Sequence, residues 1–335
     1  MPATVTKTVK ALGGGDYTTW ASAEAAIPSD ISTATGTDQK WVIEGYNDAE
    51  HAGGVTVAGV TTDVAARIVL TAAAGQSFQD HAGVRSNPLA YDVSKGVGIR
   101  GTSGGSAVTV NNAHVTVERL QVIRTTSAYD SECVAILTSN VLVQNNIIGQ
   151  DGTSSNAHSV VYGGEGAFYN NLIYDQTTSG TSYGIRMVGN FIIMGNTIVN
   201  GRGSAQGRGI DLVYGTGIAI NNSVFGWSVA VNGTAISNSQ YNATDDSSFP
   251  GTNNQVSKTY ANQFVSTTSD WRTKAGSDCI DTGTTAGLAA DISGLARPQG
   301  SAYDIGAWEY AAAAPSVSIA ALMGTTVTIG GAVRG

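Results

Sequence analysis

Apolar residues in the middle of the chain come in short runs of about four to six, many β-branched, separated by Gly, Asn, Ser and Asp. Runs of that length are too short for helices and typical of strands. They also recur in register. Val143-Gln-Asn-Asn-Ile-Ile148 is followed by Phe168-Tyr-Asn-Asn-Leu-Ile173, Ile193-Met-Gly-Asn-Thr-Ile198 and Ala219-Ile-Asn-Asn-Ser-Val224. The last Asn of each unit (Asn146, Asn171, Asn196 and Asn222) recurs at steps of 25, 25 and 26 residues. Val117-Glu-Arg-Leu-Gln-Val122 fits one period earlier, with Leu120 in the Asn slot. Three short strands plus turns fill a coil of about 25 residues, and such coils stack at about 4.8 Å. The expected fold is all-β: a single-stranded right-handed parallel β-helix. An Asn at one slot per coil can donate to and accept from the amides above and below. Asn146, Asn171, Asn196 and Asn222 are therefore expected to form a buried structural ladder.

The pattern is less regular upstream. Ala66-Arg-Ile-Val-Leu-Thr71, Gly96-Val-Gly-Ile99 and Ala107-Val-Thr-Val110 read as strands of earlier coils, interrupted by loops such as 76–92. Downstream, Thr234-Ala-Ile-Ser-Asn-Ser-Gln-Tyr241 reads as another rung after a shortened coil. The segment Thr18-Thr-Trp-Ala-Ser-Ala-Glu-Ala-Ala-Ile27 has helical spacing, a Thr for the N-cap and Pro28 as a stop. It is expected to cap the open end of the column, where bare strand edges invite aggregation. After Glu309, a small-residue linker leads into Val317-Ser-Ile-Ala-Ala-Leu-Met323 and Thr325-Thr-Val-Thr-Ile329, an alternating pair that predicts a hairpin. Such a hairpin is marginal alone, so an assembly role is expected. The organisation is then 1–40 as N-terminal strand and cap, 41–310 as the β-helix with its closing module, and 311–335 as linker and β appendage.

Two stretches resemble known proteins. Asp270-Trp-Arg-Thr-Lys-Ala-Gly-Ser-Asp-Cys-Ile-Asp-Thr-Gly283, Asp291-Ile-Ser-Gly-Leu-Ala-Arg-Pro298 and Tyr303-Asp-Ile-Gly-Ala-Trp-Glu309 resemble the closing module of bacterial and phage right-handed parallel β-helix proteins. The resemblance implies a pectate-lyase-like solenoid that ends here, and it carries little about function, since the module occurs in lyases, adhesins and virion proteins alike. Its Asp281, Asp291, Asp304 and Glu309 are expected to fix turns and to pair with Arg272 or Arg297. Gly14-Gly-Asp-Tyr-Thr-Thr-Trp20 and Ile43-Glu-Gly-Tyr-Asn-Asp48 resemble the opening of phage and prophage β-helix proteins. That resemblance implies a virion location, in keeping with an N-terminus that lacks the apolar region of a signal peptide.

Composition narrows the partners. The 335 residues carry 17 basic and 25 acidic side chains, a formal charge of −8, and no Lys or Arg cluster for phosphates. Nucleic acid is not expected as a partner, and no 18-residue apolar run exists to cross a membrane. Cys133 and Cys279 stand alone and read as small buried hydrophobes. His51, His81, His114 and His158 fall in no metal-binding spacing, no nucleophile elbow or P-loop is present, and no cofactor or metal is expected.

Aligning the coils ahead of the Asn slot gives two vertical rows. Glu132, His158, Tyr183 and Arg208 form a candidate glycan-binding face. Ala135, Val161, Arg186 and Asp211 form the second, in which Arg186 and Asp211 should make a cross-strand ion pair. Glycoside hydrolysis requires two carboxylates about 5–5.5 Å or about 6.5–9.5 Å apart, and Asp151 and Asp175 on successive coils come nearest to this. No triple-carboxylate cluster suggests a metal-dependent lyase. Two functions stay open. The first is a non-enzymatic phage virion component, a homo-trimer decorating the capsid or forming a fibre or spike with other virion proteins. The second is a tailspike-type depolymerase of a host surface polysaccharide. A bacterial adhesin is a third and weaker reading.

Overall fold

The computed structural model describes residues 1–101, 104–125, 132–152, 158–177, 181–202, 207–233, 236, 238–247 and 249–312. Each regular coil contains three strands. In one, Val141–Gln144 is followed by a two-residue turn, then Ile147–Gln150, then His158–Gly163. Strands pair in parallel with their equivalents on adjacent coils, so that Val143 lies between Val117 and Phe168. Three parallel sheets of eight, eight and seven strands result. They are called here the first (containing Val141–Gln144), the second (Ile147–Gln150) and the third (His158–Gly163). The chain is a parallel β-helix, as the repeat requires. The upstream coils form at Ile68–Ala72, Gly98–Gly101 and Val108–Asn111, close to the expected runs.

The inward positions stack like on like. Ile43, Leu70, Val117, Val143, Phe168 and Ile193 follow one another along the first sheet, all fully buried. Burying each such side chain contributes about 1.5–3 kcal/mol. The turn between the first and second sheets explains the Asn-Asn doublet. Its first residue is left-handed at Asn145, Asn170, Gly195 and Asn221, with φ of 56°, 53°, 65° and 56°. Asn and Gly tolerate that region best. The second residue is the ladder Asn. Asn146 Nδ2 donates to Asn171 Oδ1 (3.1 Å), Asn171 to Asn196 (2.9 Å) and Asn196 to Asn222 (3.0 Å). Each Oδ1 also accepts the backbone N–H of the preceding ladder residue. All four are fully buried. The ladder extends two rungs further, through Asn242 and Asn254. The expected rung near Thr234–Tyr241 closes at Gln240 and Ala243–Thr244, while 234, 235 and 237 lie outside the described residues.

At the N-terminal end, Ala3–Val9 pairs with Gln39–Gly45, so the 1–40 segment contributes a full rung as well as a cap. The cap is the short helix Trp20–Glu24, with Thr19 as N-cap accepting from Ser22 N at 3.1 Å. Trp20 and Ala23 are buried; Trp20 meets His51 edge-on, and Glu24 accepts the N–H of Ala58.

The closing module does not sit across the far end of the column. It returns along the outside of the second sheet. Its hairpin of Phe264–Ser266 and Asp270–Thr273, with Cys279, Ile292, Ile305, Ala307 and Trp308, packs on the outward residues Ile147, Leu172, Tyr174, Val199 and Phe225. Trp271 stacks on Tyr174 at 4.6 Å. The module reaches the early 76–92 loop, where Arg85 meets Asp291 (2.7 Å) and lies over the Trp308 ring (3.8 Å). The proposed appendage strands at 317–329 lie outside the described residues.

Candidate functional site

The third sheet turns a polar face outward. Its register corrects both expected rows. Val134 pairs with Val161, a step of 27 where the Asn ladder steps by 25, and Ser159, not His158, pairs with Tyr183. A one-residue slip carries a side chain to the opposite face of a sheet. His158 therefore points inward, 4% exposed, with Nε2 3.1 Å from Asp175 Oδ2 and 3.2 Å from Thr177 Oγ1. It does not join Tyr183 and Arg208. In the second row Tyr162 takes the place of Val161 between Ala135 and Arg186.

The upper part of that row is a charge network. Arg186 lies 3.3 Å from Asp211, the expected cross-strand pair, and Arg208 approaches the same carboxylate at 2.7 Å. Asn232 donates to it as well. The Arg186 guanidinium lies over the Tyr183 ring at 4.7 Å. Below, where the row shrinks to Thr109 and Ala135, a depression of about 420 Å³ opens, bounded by Glu132, Ser159, Tyr162 and Arg186. Glu132 is held there by Ser106 Oγ at 3.0 Å. The depression and its rim offer the Tyr162 and Tyr183 rings, hydroxyls and the Glu132 and Arg186 charges, a set suited to binding a polyhydroxylated ligand.

Asp151 and Asp175 do not form a pair across one cleft. Asp175 stacks between Gln150 and Asn200 on the inward side of the second sheet. It is 1% exposed and accepts from Thr177 N at 2.8 Å as well as facing His158. Asp151 is one residue beyond Gln150, with a side chain 45% exposed and 3.5 Å from Arg202. One carboxylate faces the interior and the other solvent, because the expected alignment was off by one position. Among the described residues, no group of three or more His, Cys, Asp or Glu gathers as a metal site.

The acids of the closing module act on backbone. Asp304 accepts from the N–H groups of Asp281 (2.8 Å) and Tyr310 (2.6 Å), and burial pushes its carboxyl up to about 6. Asp281 accepts from Ala302 N. Glu309 accepts from Gln299 N and lies 3.3 Å from Arg297, the pairing expected. Arg272 instead pairs with Asp270, two residues away, and Asp291 pairs with Arg85. Both cysteines are free and buried; burial raises both thiols, Cys279 to about 12.

A second surface escaped the sequence reading. On the outer face of the first sheet, Leu142, Ala167, Ile192 and Ile218 stack on four successive rungs, with Tyr169 beside them. They floor an open groove of about 920 Å³ whose edge carries Asn140, Glu165, Asn190 and Thr216. The signal was present: Phe191-Ile-Ile-Met194 lacks the polar alternation of a sheet with one wet face.

No family model and no curated protein matches the sequence. Among solved structures, the chain is similar to "Crystal structure of pectate lyase Pel9A", with a TM-score of 0.33 and 12% identity over 92% of this chain and 96% of that one.

Proposed function

We propose that this chain is a non-catalytic structural component of a phage virion, a β-helical column displayed on the particle as a capsid decoration, fibre or spike. The observation that carries this reading is the fate of the carboxylates. Asp175 is turned into the interior, Asp211 is enclosed by two arginines and an asparagine, and the closing-module acids hold backbone N–H groups. Each is committed to the fold, and none is left as a free partner for Asp151. The opening segment, which resembles that of phage and prophage β-helix proteins, supports the virion location.

Assembly as a homo-trimer follows the same reading. The exposed aliphatic strip of the first sheet is of the kind that marks a contact surface, and the 313–335 sequence, outside the described residues, is rich in apolar side chains. The third sheet supports a binding role within it: Tyr162, Tyr183 and Arg186 beside a 420 Å³ depression suit recognition of a host glycan without cleavage. The test of location is protein analysis of purified particles, with antibody labelling in the electron microscope. The expected result is a fixed copy number per particle and label on the outer surface. Absence from particles that are otherwise complete would reject the proposal.

A further inference from the structure

Arg124 is the most unusual side chain in the column. It occupies the last position of the strand Gln121–Arg124, on the inward side of the second sheet, in the row continued by Gln150, Asp175 and Asn200. It is 0% exposed, and its Nε, Nη1 and Nη2 are all buried without a hydrogen-bond partner. One rung above, Gln150 Oε1 is also buried and unpartnered. One rung below stands Gly101, which brings no side chain into the row.

Nearby carboxylates are already engaged. Glu132 is held by Ser106 on the outer face, and Asp175, two rungs along, faces His158 and Thr177. Cys133 is buried, its Sγ–H donating to Gly149 O at 2.8 Å, and burial keeps the thiol neutral. An arginine stays protonated under all ordinary conditions. Glu132 attracts Arg124 through space without a hydrogen bond to it; a water molecule would satisfy some of the N–H groups but add no charge beside a buried guanidinium, whose charged form burial disfavours.

We propose that the interior of the column between Arg124 and Gln150 binds a small inorganic anion of the halide class. The guanidinium supplies the charge and a planar fork of donors. Gln150, one rung above, adds a second buried and unpartnered polar group to the same row. The anion is a resident part of the fold beside the end of the strand Gln121–Arg124.

Two measurements test this on the whole protein. Thermal unfolding is followed in sodium chloride and in sodium gluconate at equal ionic strength, gluconate being too large for the interior. The expected result is a melting temperature about 2–4 °C higher at chloride several times above its Kd. In Arg124→Met the difference disappears, and the variant folds because the unpaired charge has gone with the site. Crystals of the native protein grown in bromide should show an anomalous peak within hydrogen-bond reach of the Arg124 guanidinium, a result independent of how the variant behaves. Equal melting in both salts, a chloride effect that survives in Arg124→Met, or water alone at the site would overturn the proposal.

Discussion

The first and second sheets are built from similar text and meet different surroundings. Thr197–Asn200 of the second is buried at every position, whereas Phe191–Met194 of the first alternates, with Ile192 38% exposed. The cause is the closing module, which lies over the second sheet, whereas among the described residues none covers the aliphatic strip of the first. In the second sheet an outward aliphatic residue is core; in the first the same residue type is a potential contact. The comparison teaches that in a solenoid the meaning of an outward apolar row is set by what the distant end of the chain does.

The largest expected effect comes from breaking the covered side. Trp271 is fully buried on Tyr174, so Trp271→Ala should lose about 3–5 kcal/mol in chemical denaturation. Ile192→Ala on the bare sheet should stay within about 0.5 kcal/mol. Comparable losses at the two positions would mean that the first sheet is also covered.

The ladder lies at the corner between the two sheets. Replacing Asn171 by Ala removes the acceptor for Asn146 and the donor to Asn196 in one step. A loss of roughly 1–3 kcal/mol is expected through unpaired buried neighbours. An unfolding midpoint unchanged within error would show that the ladder is decorative.

This ladder was also the most legible part of the molecule. Sequence spacing disclosed it because each Asn bonds to the ladder Asn one coil away, so the constraint repeats at coil length. Asn242 and Asn254 were missed because the last steps shrink to 20 and 12 residues. The candidate site was far less legible. A fixed offset from the ladder Asn assigned the third-sheet rows, but the loop before His158–Gly163 changes length, and one residue of slip turned His158 inward and set Tyr162 beside Arg186. The course of the closing module was illegible for another reason. Contacts such as Arg85 with Asp291 join positions about 200 residues apart, and no local pattern encodes them.

The covering module should also respond to pH. Asp304 has its carboxyl raised to about 6 by burial, so the folded state holds a proton that the unfolded state releases near its ordinary value of 3.8. Its contribution is complete below about 4 and is lost as pH rises through about 6. Wild type minus Asp304→Asn, compared by thermal melts at pH 4.5 and 7.5, should differ by roughly 1–2 kcal/mol in that direction. A pH-independent difference would place the titration elsewhere.

A smaller stability effect with a separate readout is expected from Ile192→Asp. It should leave the unfolding midpoint nearly unchanged, as exposed substitutions do, and lower the mass of the proposed trimer in light scattering. An unchanged oligomer would remove the bare sheet from the assembly.

The claim that the column is structural rather than catalytic is tested most directly by incubating the purified protein with host surface polysaccharide and measuring new reducing ends and unsaturated uronate. The account predicts release of neither above a heat-denatured control, with glycan binding, where present, lost in Arg186→Ala. Release that is abolished in Asp151→Asn or Asp175→Asn would contradict it and establish a depolymerase.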